Sequence, residues 1–486
     1  MSGRPNVVLL CADQWRGDAL SHMGHPIVQT PWLDRLALRG ASFPRAYSAV
    51  PSCIAARAAL FTGCSQETHG RVGYRDGVAW DYPVTLAGEF TRHGYQTQAI
   101  GKMHVFPERS QLGFQNVVLH DGFLHYARSH SPDLERIDDY LPWLRERCQS
   151  GADYFDHGVN CNSNVARPWD KPEHLHPTNW TVTQGIDFLR RRDPRKPFFL
   201  FLSFHRPHAP YDPPAWAFEQ YMDLPMPEAP VGDWAEDFAA FENGLDPECH
   251  RGTVAPEVFR RARAGYYGLI THIDHQINRF LEVLQERGMA DDTYVCFLSD
   301  HGDLLGDHRL WRKSLPYEGS ARVPFLLSGP SGSGIRGGIR PSRAVELRDL
   351  MPTLLDCAGL PVPETVEGRS VLPLARGLEV PWREHLHGEH SGLFCGGSAH
   401  WLTDGSGKYV WYSQTGREQL FDLASDPGEL RDLARDGTHA DALAAWRARL
   451  IRVLSGRGEG FVADGRLVPG RPTDAMLPPL SGAKGR

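Results

Sequence analysis

The residues that could do chemistry in this chain sit in short polar motifs, most of which follow apolar runs. Residues 50–63 read V-P-S-C-I-A-A-R-A-A-L-F-T-G. Cys53 follows a proline turn and opens a run of helix formers over 54–61, and Thr62-Gly63 supplies the stop. A thiol at a helix start meets unpaired backbone N–H groups, which favour developing negative charge. Arg57, four residues on, shares that helical face and can reach an anion held there. A lone cysteine in such a run is more often a core residue, so its company decides the reading. Asp13-Gln14 ends an apolar run over 6–12, and Lys102 and His104 stand two apart just past a strand-like run over 95–100. His208, with His205 as the reserve, follows a third run, Asp300-His301 ends a fourth, and Lys313 closes G-D-H-R-L-W-R-K.

These groups can meet only if the elements bearing them form one sheet. Ligands of open α/β sheets bind beyond the carboxyl ends of the strands, where Asp13 and Asp300 would serve as metal ligands. The run at 6–12 reads as a strand buried on both faces, those at 197–204 and 293–299 as further buried strands, and 95–100 and 323–328 as strands beside them. Helical patterns at 32–38, 85–93, 256–287 and 347–359 alternate with them. The alternation predicts a largely parallel central sheet flanked by helices, filling a catalytic α/β domain over 1–378. His272 and His275, inside the 256–287 helix, read as structural. Residues 106–180 read as loops and short helices over the sheet edge, and His120, His125, His130 and His157 there show no metal-ligand spacing. Antiparallel strands at 407–412 and 418–423, with an amphipathic helix at 441–454, predict a small C-terminal α+β domain over 379–456. The Gly/Pro-rich segment 457–486 reads as a tail, either disordered or lying on another subunit, which suits a homo-oligomer.

The bulk numbers exclude more than they assign. At 486 residues there is room for a large core, and no apolar run reaches the length of a membrane span. A net charge of −7 argues against nucleic acid as the main partner. Nine scattered cysteines without a C-x-x-C pair do not form a disulfide framework. With no secretory pattern before the first strand, a cytoplasmic protein with reduced thiols is the expectation.

Cys53, Ala55, Arg57, Leu60, Thr62 and Gly63 match, at the right spacing, the modification signature of the type I sulfatases. G-K-M-H at 101–104, P-H-A-P at 207–210, Asp300-His301 and L-F-D-L-x-x-D-P-x-E near the C-terminus also resemble that family. The resemblance implies an alkaline phosphatase-like fold and a sulfate monoester substrate, aryl or carbohydrate. It implies that Cys53 is oxidised to 3-oxoalanine (formylglycine), whose hydrate is the nucleophile. Ala55, where the commonest version has proline, resembles the variant read by radical-SAM maturases. A divalent cation is implied at Asp13, Gln14, residue 53, Asp300 and His301. The family suggests calcium, while the imidazole of His301 admits manganese. By the same resemblance Arg57 and Lys102 neutralise the sulfate, Lys313 and His208 assist the leaving group, and His104 takes the proton that releases sulfate. Trp311, Arg312, His390 and Trp401 are candidates to line the pocket, with core packing the alternative for the tryptophans. Two other readings compete. One is a phosphonate monoester or phosphodiester hydrolase of the same superfamily, disfavoured by the Lys102-x-His104 pair. The other is a non-catalytic anion-binding relative, disfavoured by the intact set.

Overall fold

The structure is a computed structural model that describes residues 4–122, 125–148 and 151–478. Its central sheet has seven strands: β1 (Asn6–Asp13), β2 (Ala41–Ser42), β3 (Gln96–Gly101), β4 (Asn116–Leu119), β5 (Phe198–Pro207), β6 (Thr293–Ser299) and β7 (Phe325–Ser328). They lie in the order β2-β7-β6-β1-β5-β3-β4. The five strands from β6 to β4 are parallel, while β7 runs antiparallel to both of its neighbours. Strand β1 sits at the centre, with Cys11 opposite Ser203 on one side and Leu298 on the other. All eight of its residues are buried, which is why its sequence is continuously apolar from Val7 until Asp13.

The two sides of β1 feed two cores. Val8 and Leu10 pack with α1 (Pro31–Arg39). Val7 and Leu9 pack with α2 (Cys53–Thr62). The α1 side is completed by α3 (Pro177–Arg191) and the 31-residue α4 (Pro256–Glu286), the α2 side by α5 (Leu350–Cys357). Because β1, β3, β5 and β6 are parallel, their carboxyl ends, and with them Asp13, Lys102, His208 and Asp300, share one edge.

The second sheet is antiparallel and sequential: β8 (Leu386–Ser391), β9 (Ser398–Thr403), β10 (Gly407–Tyr412) and β11 (Glu418–Asp422). Helix α6 (Ala440–Leu454) lays Trp446, Leu450 and Leu454 on Leu402, Tyr409 and Trp411. Residues 457–478 do not behave as the expected tail, because they fold back on their own chain. Arg457 grips the buried Glu389 with both terminal nitrogens at 2.8 and 3.0 Å. Val72 N donates to Ala475 O at 3.0 Å and Leu477 N to Gly70 O at 2.8 Å. The remainder of the tail, 479–486, lies outside the described residues.

The 106–180 region is more ordered than its composition suggests. It supplies edge strand β4 and a core of its own around Tyr140, Leu144, Tyr154, Trp169 and Trp180. His120 Nδ1 faces Asp138 Oδ1 at 3.1 Å and His157 Nε2 faces Asp212 Oδ2 at 3.2 Å.

Several buried histidines give the fold a sharp acid limit. Burial lowers His69 to about 3 and His308 to about 4, and pulls His272 and His400 well below the usual imidazole range. Unfolded imidazoles titrate near 6.5, so below that pH the unfolded chain binds protons that the folded chain refuses. Stability should therefore fall as pH drops from about 6.5, each group contributing up to about 1.4 kcal/mol per pH unit until its folded pKa is passed. Thermal melts between neutral pH and about pH 5 would show a steadily falling midpoint. A flat profile would contradict this.

Candidate active site

Helix α2 begins at Cys53, with Ser52 as its N-cap in extended conformation, and ends at Gly63 with φ of 67°. The helix start points residue 53 into the space between the ends of β1 and β6. Cys53 Sγ lies 3.1 Å from His301 Nε2, 3.7 Å from Asp13 Oδ1 and 4.0 Å from Lys102 Nζ. Burial pushes the thiol up, but Lys102, Lys313 and His301 outweigh it and hold Cys53 well below the ordinary thiol range.

Asp13, Cys53, Asp300 and His301 bring one ligand atom each within 4.8 Å of one another, and all four are buried. Asp13 Oδ1 and Asp300 Oδ1 lie 3.6 and 3.7 Å from His301 Nε2. His301 Nδ1 donates to Gly302 O at 2.9 Å, which leaves the lone pair of Nε2 directed at the cluster. Asp300 is pushed up by burial and by the neighbouring Asp13 carboxylate. Burial and the Cys53 sulfur push Asp13 up too, but Lys102, His208 and His301 prevail and hold it at about 2. Burial alone would lower His301, but Asp300 and the Cys53 sulfur raise it in the absence of a metal. Two buried carboxylates and an imidazole nitrogen form a donor set that fits a divalent cation.

Gln14, also expected among the ligands, adjoins this cluster. Its backbone N donates to Asp300 Oδ1 at 3.1 Å, its side-chain Nε2 to Asp303 Oδ2 at 2.5 Å, and its Oε1 accepts from Lys313 Nζ at 2.6 Å. Its left-handed φ of 68° turns the chain sharply at the end of β1.

Arg57 also sits differently from its expected role against a bound anion. It is fully buried, donating from Nε to Asp300 Oδ2 at 2.9 Å and from Nη1 to Lys102 O at 2.8 Å and Ser203 Oγ at 3.0 Å. Its remaining Nη2 lies 3.7 Å from Asp13 Oδ2. The guanidinium therefore ties α2 to β1, β3, β5 and β6 from beneath.

Lys102 follows the last residue of β3, Gly101, where a Cβ would lie 1.9 Å from Ser203 O and only glycine fits. The Lys102 ammonium pairs with Asp13 Oδ2, and burial notwithstanding, Asp13 and Cys53 raise its pKa. His104 has a left-handed φ of 55°, held by Asp121 Oδ1, which accepts from Met103 N at 2.6 Å and His104 N at 2.8 Å. Burial alone would lower His104, but Asp76 and the Cys53 sulfur raise it. His208 Nδ1 donates to Ala209 O at 2.9 Å, so Nε2 accepts from Lys313 Nζ at 2.7 Å. Burial and Lys313 lower His208 to about 4. His205 instead turns to Arg206, whose guanidinium grips Asp212 at 2.7 Å through two nitrogens.

Of the candidate pocket residues, Trp401 is core, 1 % exposed and packed on Tyr47, and Trp311 donates to Gly252 O at 2.9 Å. Arg312 donates to Glu248 O at 3.1 Å. His390 is buried with neither ring nitrogen bonded. His272 meets His176 edge-on at 4.7 Å and His275 stacks on Trp216 at 5.2 Å, both outside the site. The sequence reading missed Asp303, Asp121 and Asp76. Asp303 was visible in the D-H-G-D run, whereas Asp121 and Asp76 carry no local signal.

A mostly parallel sheet, with a carboxylate–imidazole cluster beside the start of a cysteine-bearing helix at its strand ends, has the architecture of the alkaline phosphatase-like superfamily. The sulfatase family profile matches residues 5–360, and the profile of the N-sulphoglucosamine sulphohydrolase C-terminal region matches 306–455. The arylsulfatase of Clostridium perfringens (strain 13 / Type A) is 49% identical over 479 residues, covering 97% of this chain and 99% of that protein. The choline-sulfatase of Rhizobium meliloti (strain 1021) is 30% identical over 446 residues, covering 90% and 83%. The solved phosphonate monoester hydrolase of Agrobacterium radiobacter superposes with a TM-score of 0.76 at 27% identity, covering 96% of this chain and all of that one. The chain belongs to the sulfatase family, a family of sulfuric ester hydrolases.

Proposed function

We propose that this protein hydrolyses a sulfate monoester of an aryl or carbohydrate alcohol, with residue 53 as formylglycine and a divalent cation held by Asp13, Asp300 and His301. The observation that carries the reading is the position of Cys53, at a helix start between a buried ligand cluster and the two lysines. When present, a formylglycine hydrate supplies one hydroxyl to attack sulfur and a second whose proton loss releases sulfate, and a divalent cation supplies charge neutralisation.

The chain's own residues divide the remaining work. Lys102, between Asp13 and residue 53, stabilises negative charge on the attacking oxygen and the sulfuryl group. Lys313 protonates the leaving oxygen, because its partner His208 is neutral and holds only a lone pair toward it. Gln14 fixes Lys313 from the other side. His104 accepts the proton of the second hydroxyl. Arg57 positions Asp300 and the Lys102 backbone rather than the substrate.

The imidazole nitrogen in the ligand set favours manganese over calcium, the metal the family resemblance suggests. Ala55 supports maturation by a radical-SAM-type enzyme. Among the described residues no helix is long and apolar enough to cross a membrane.

The likeness to a phosphonate monoester hydrolase supports a second reading, hydrolysis of phosphonate monoesters or phosphodiesters at the same site. Full-length identity to an arylsulfatase favours the first. Comparing kcat/KM on 4-nitrophenyl sulfate, a 4-nitrophenyl phosphonate monoester and a phosphodiester separates them. Preference for either phosphorus ester would overturn the sulfatase reading.

A further inference from the structure

The mechanism leaves one question open at His104. Its ring is buried, and neither nitrogen has a hydrogen-bond partner within normal geometry. Its backbone is fixed by Asp121, but a backbone anchor does not choose the ring's rotation about the side-chain bonds. The charged group placed to do so is Asp76, whose Oδ1 lies 3.5 Å from His104 Nε2. Asp76 and the Cys53 sulfur are the two groups that act on this ring to raise its pKa. Tyr74 packs edge-on against it at 5.9 Å and limits its travel.

Asp76 is itself held in place from outside the catalytic sheet. The strand-like segment before it is clamped on two sides by the C-terminal part of the chain. Ser391 N, at the end of β8, donates to Val72 O at 2.7 Å, and Val72 N donates to Ala475 O at 3.0 Å. Arg71 pairs in an antiparallel bridge with Met476, and Arg75 reaches Asp474 at 2.8 Å. The folded-back tail and the second sheet therefore deliver one carboxylate to the imidazole.

We propose that Asp76 is a positioning residue for His104, orienting the imidazole so that its other nitrogen takes the proton in the sulfate-releasing step. The proposal rests on the reading of His104 given above. In that step the hydroxyl remaining on residue 53 gives its proton to the imidazole, and the O–H electron pair closes the carbonyl. The C–O bond to sulfate breaks, and sulfate leaves with that bond's electrons, so no oxidant or reductant is needed. Asp76 touches neither substrate nor the reacting atoms. Its loss should slow release and spare the earlier transfer to residue 53.

The test compares wild type, Asp76→Asn, Asp76→Glu and His104→Ala, in preparations matched by mass spectrometry for formylglycine content. Each is turned over on a ³⁵S-labelled aryl sulfate and quenched in acid. In Asp76→Asn, kcat should fall roughly tenfold or more while kcat/KM stays within about twofold, because only the later step loses its oriented base. The quenched protein should retain label, and Asp76→Glu should recover part of kcat. Parallel loss of kcat and kcat/KM without retained label would make Asp76 a merely structural residue and overturn the proposal, as would unchanged kinetics. If His104→Ala also retains no label, the assignment of His104 to release falls, and the proposal with it.

Discussion

Replacing Lys102 with methionine is expected to lower kcat/KM on an aryl sulfate by about a thousandfold, the loss typical of removing one preorganised charge from a water-excluded site. Lys102 is 1 % exposed, and its ammonium stands between the Asp13 carboxylate and the atom at position 53. Methionine keeps the volume and removes only the charge. Asp13 is left with Arg57 Nη2 at 3.7 Å and His301 Nε2 at 3.6 Å as its basic neighbours, and no ion pair shorter than these. An uncompensated buried carboxylate costs about 3 kcal/mol or more, so the variant should also melt at a lower temperature than wild type. Bound metal would offset part of that cost, so the melting deficit should shrink when manganese is added. Steady-state kinetics and calorimetry on the same preparation check both halves. A loss of less than about tenfold in kcat/KM would mean that the charge is supplied elsewhere.

The second large effect is expected from the metal. Chelation should abolish turnover, since Asp13 and Asp300 then face each other without a cation. Restoring manganese should recover activity and raise the melting temperature more than calcium does at equal free concentration. A ligand present at a thousand times its Kd stabilises the native state by about 4 kcal/mol, well within calorimetric reach. The preference follows from His301, whose Nδ1 is committed to Gly302 O and whose Nε2 therefore offers nitrogen to the cluster. A larger shift with calcium would mean that the imidazole stays outside the coordination sphere.

The parts of this site legible in the sequence were those encoded locally. Cys53 and Arg57 lie in one helix, and Asp13, Lys102, His208 and Asp300 each stand at the carboxyl end of a recognisable strand, so parallel pairing alone brings them together. What Arg57 does was not legible, because its helix phase places it near Cys53 without saying whether it turns to substrate or to Asp300. The same holds for Gln14, whose amide is claimed by Asp303 and Lys313 from far along the chain. Asp76 and Asp121 act on His104 through loops, and no period or spacing marks them. Strands β8 and β9 escaped notice for a different reason. Their L-H-G-E-H-S and S-A-H-W-L-T sequences mix histidine and glycine into what becomes a buried sheet, hiding the alternation. The tail misled through composition: glycine and proline there permit turns that carry 457–478 back across the fold rather than away from it.

The central claim is that residue 53 is a formylglycine that performs the chemistry. Its direct test is the mass of the tryptic peptide spanning residues 46–57, taken from active protein made in its native host and compared with the same peptide from inactive material. The account predicts an aldehyde-containing peptide whose abundance tracks specific activity from one preparation to the next. Fully active protein that carries an unmodified Cys53 would contradict it.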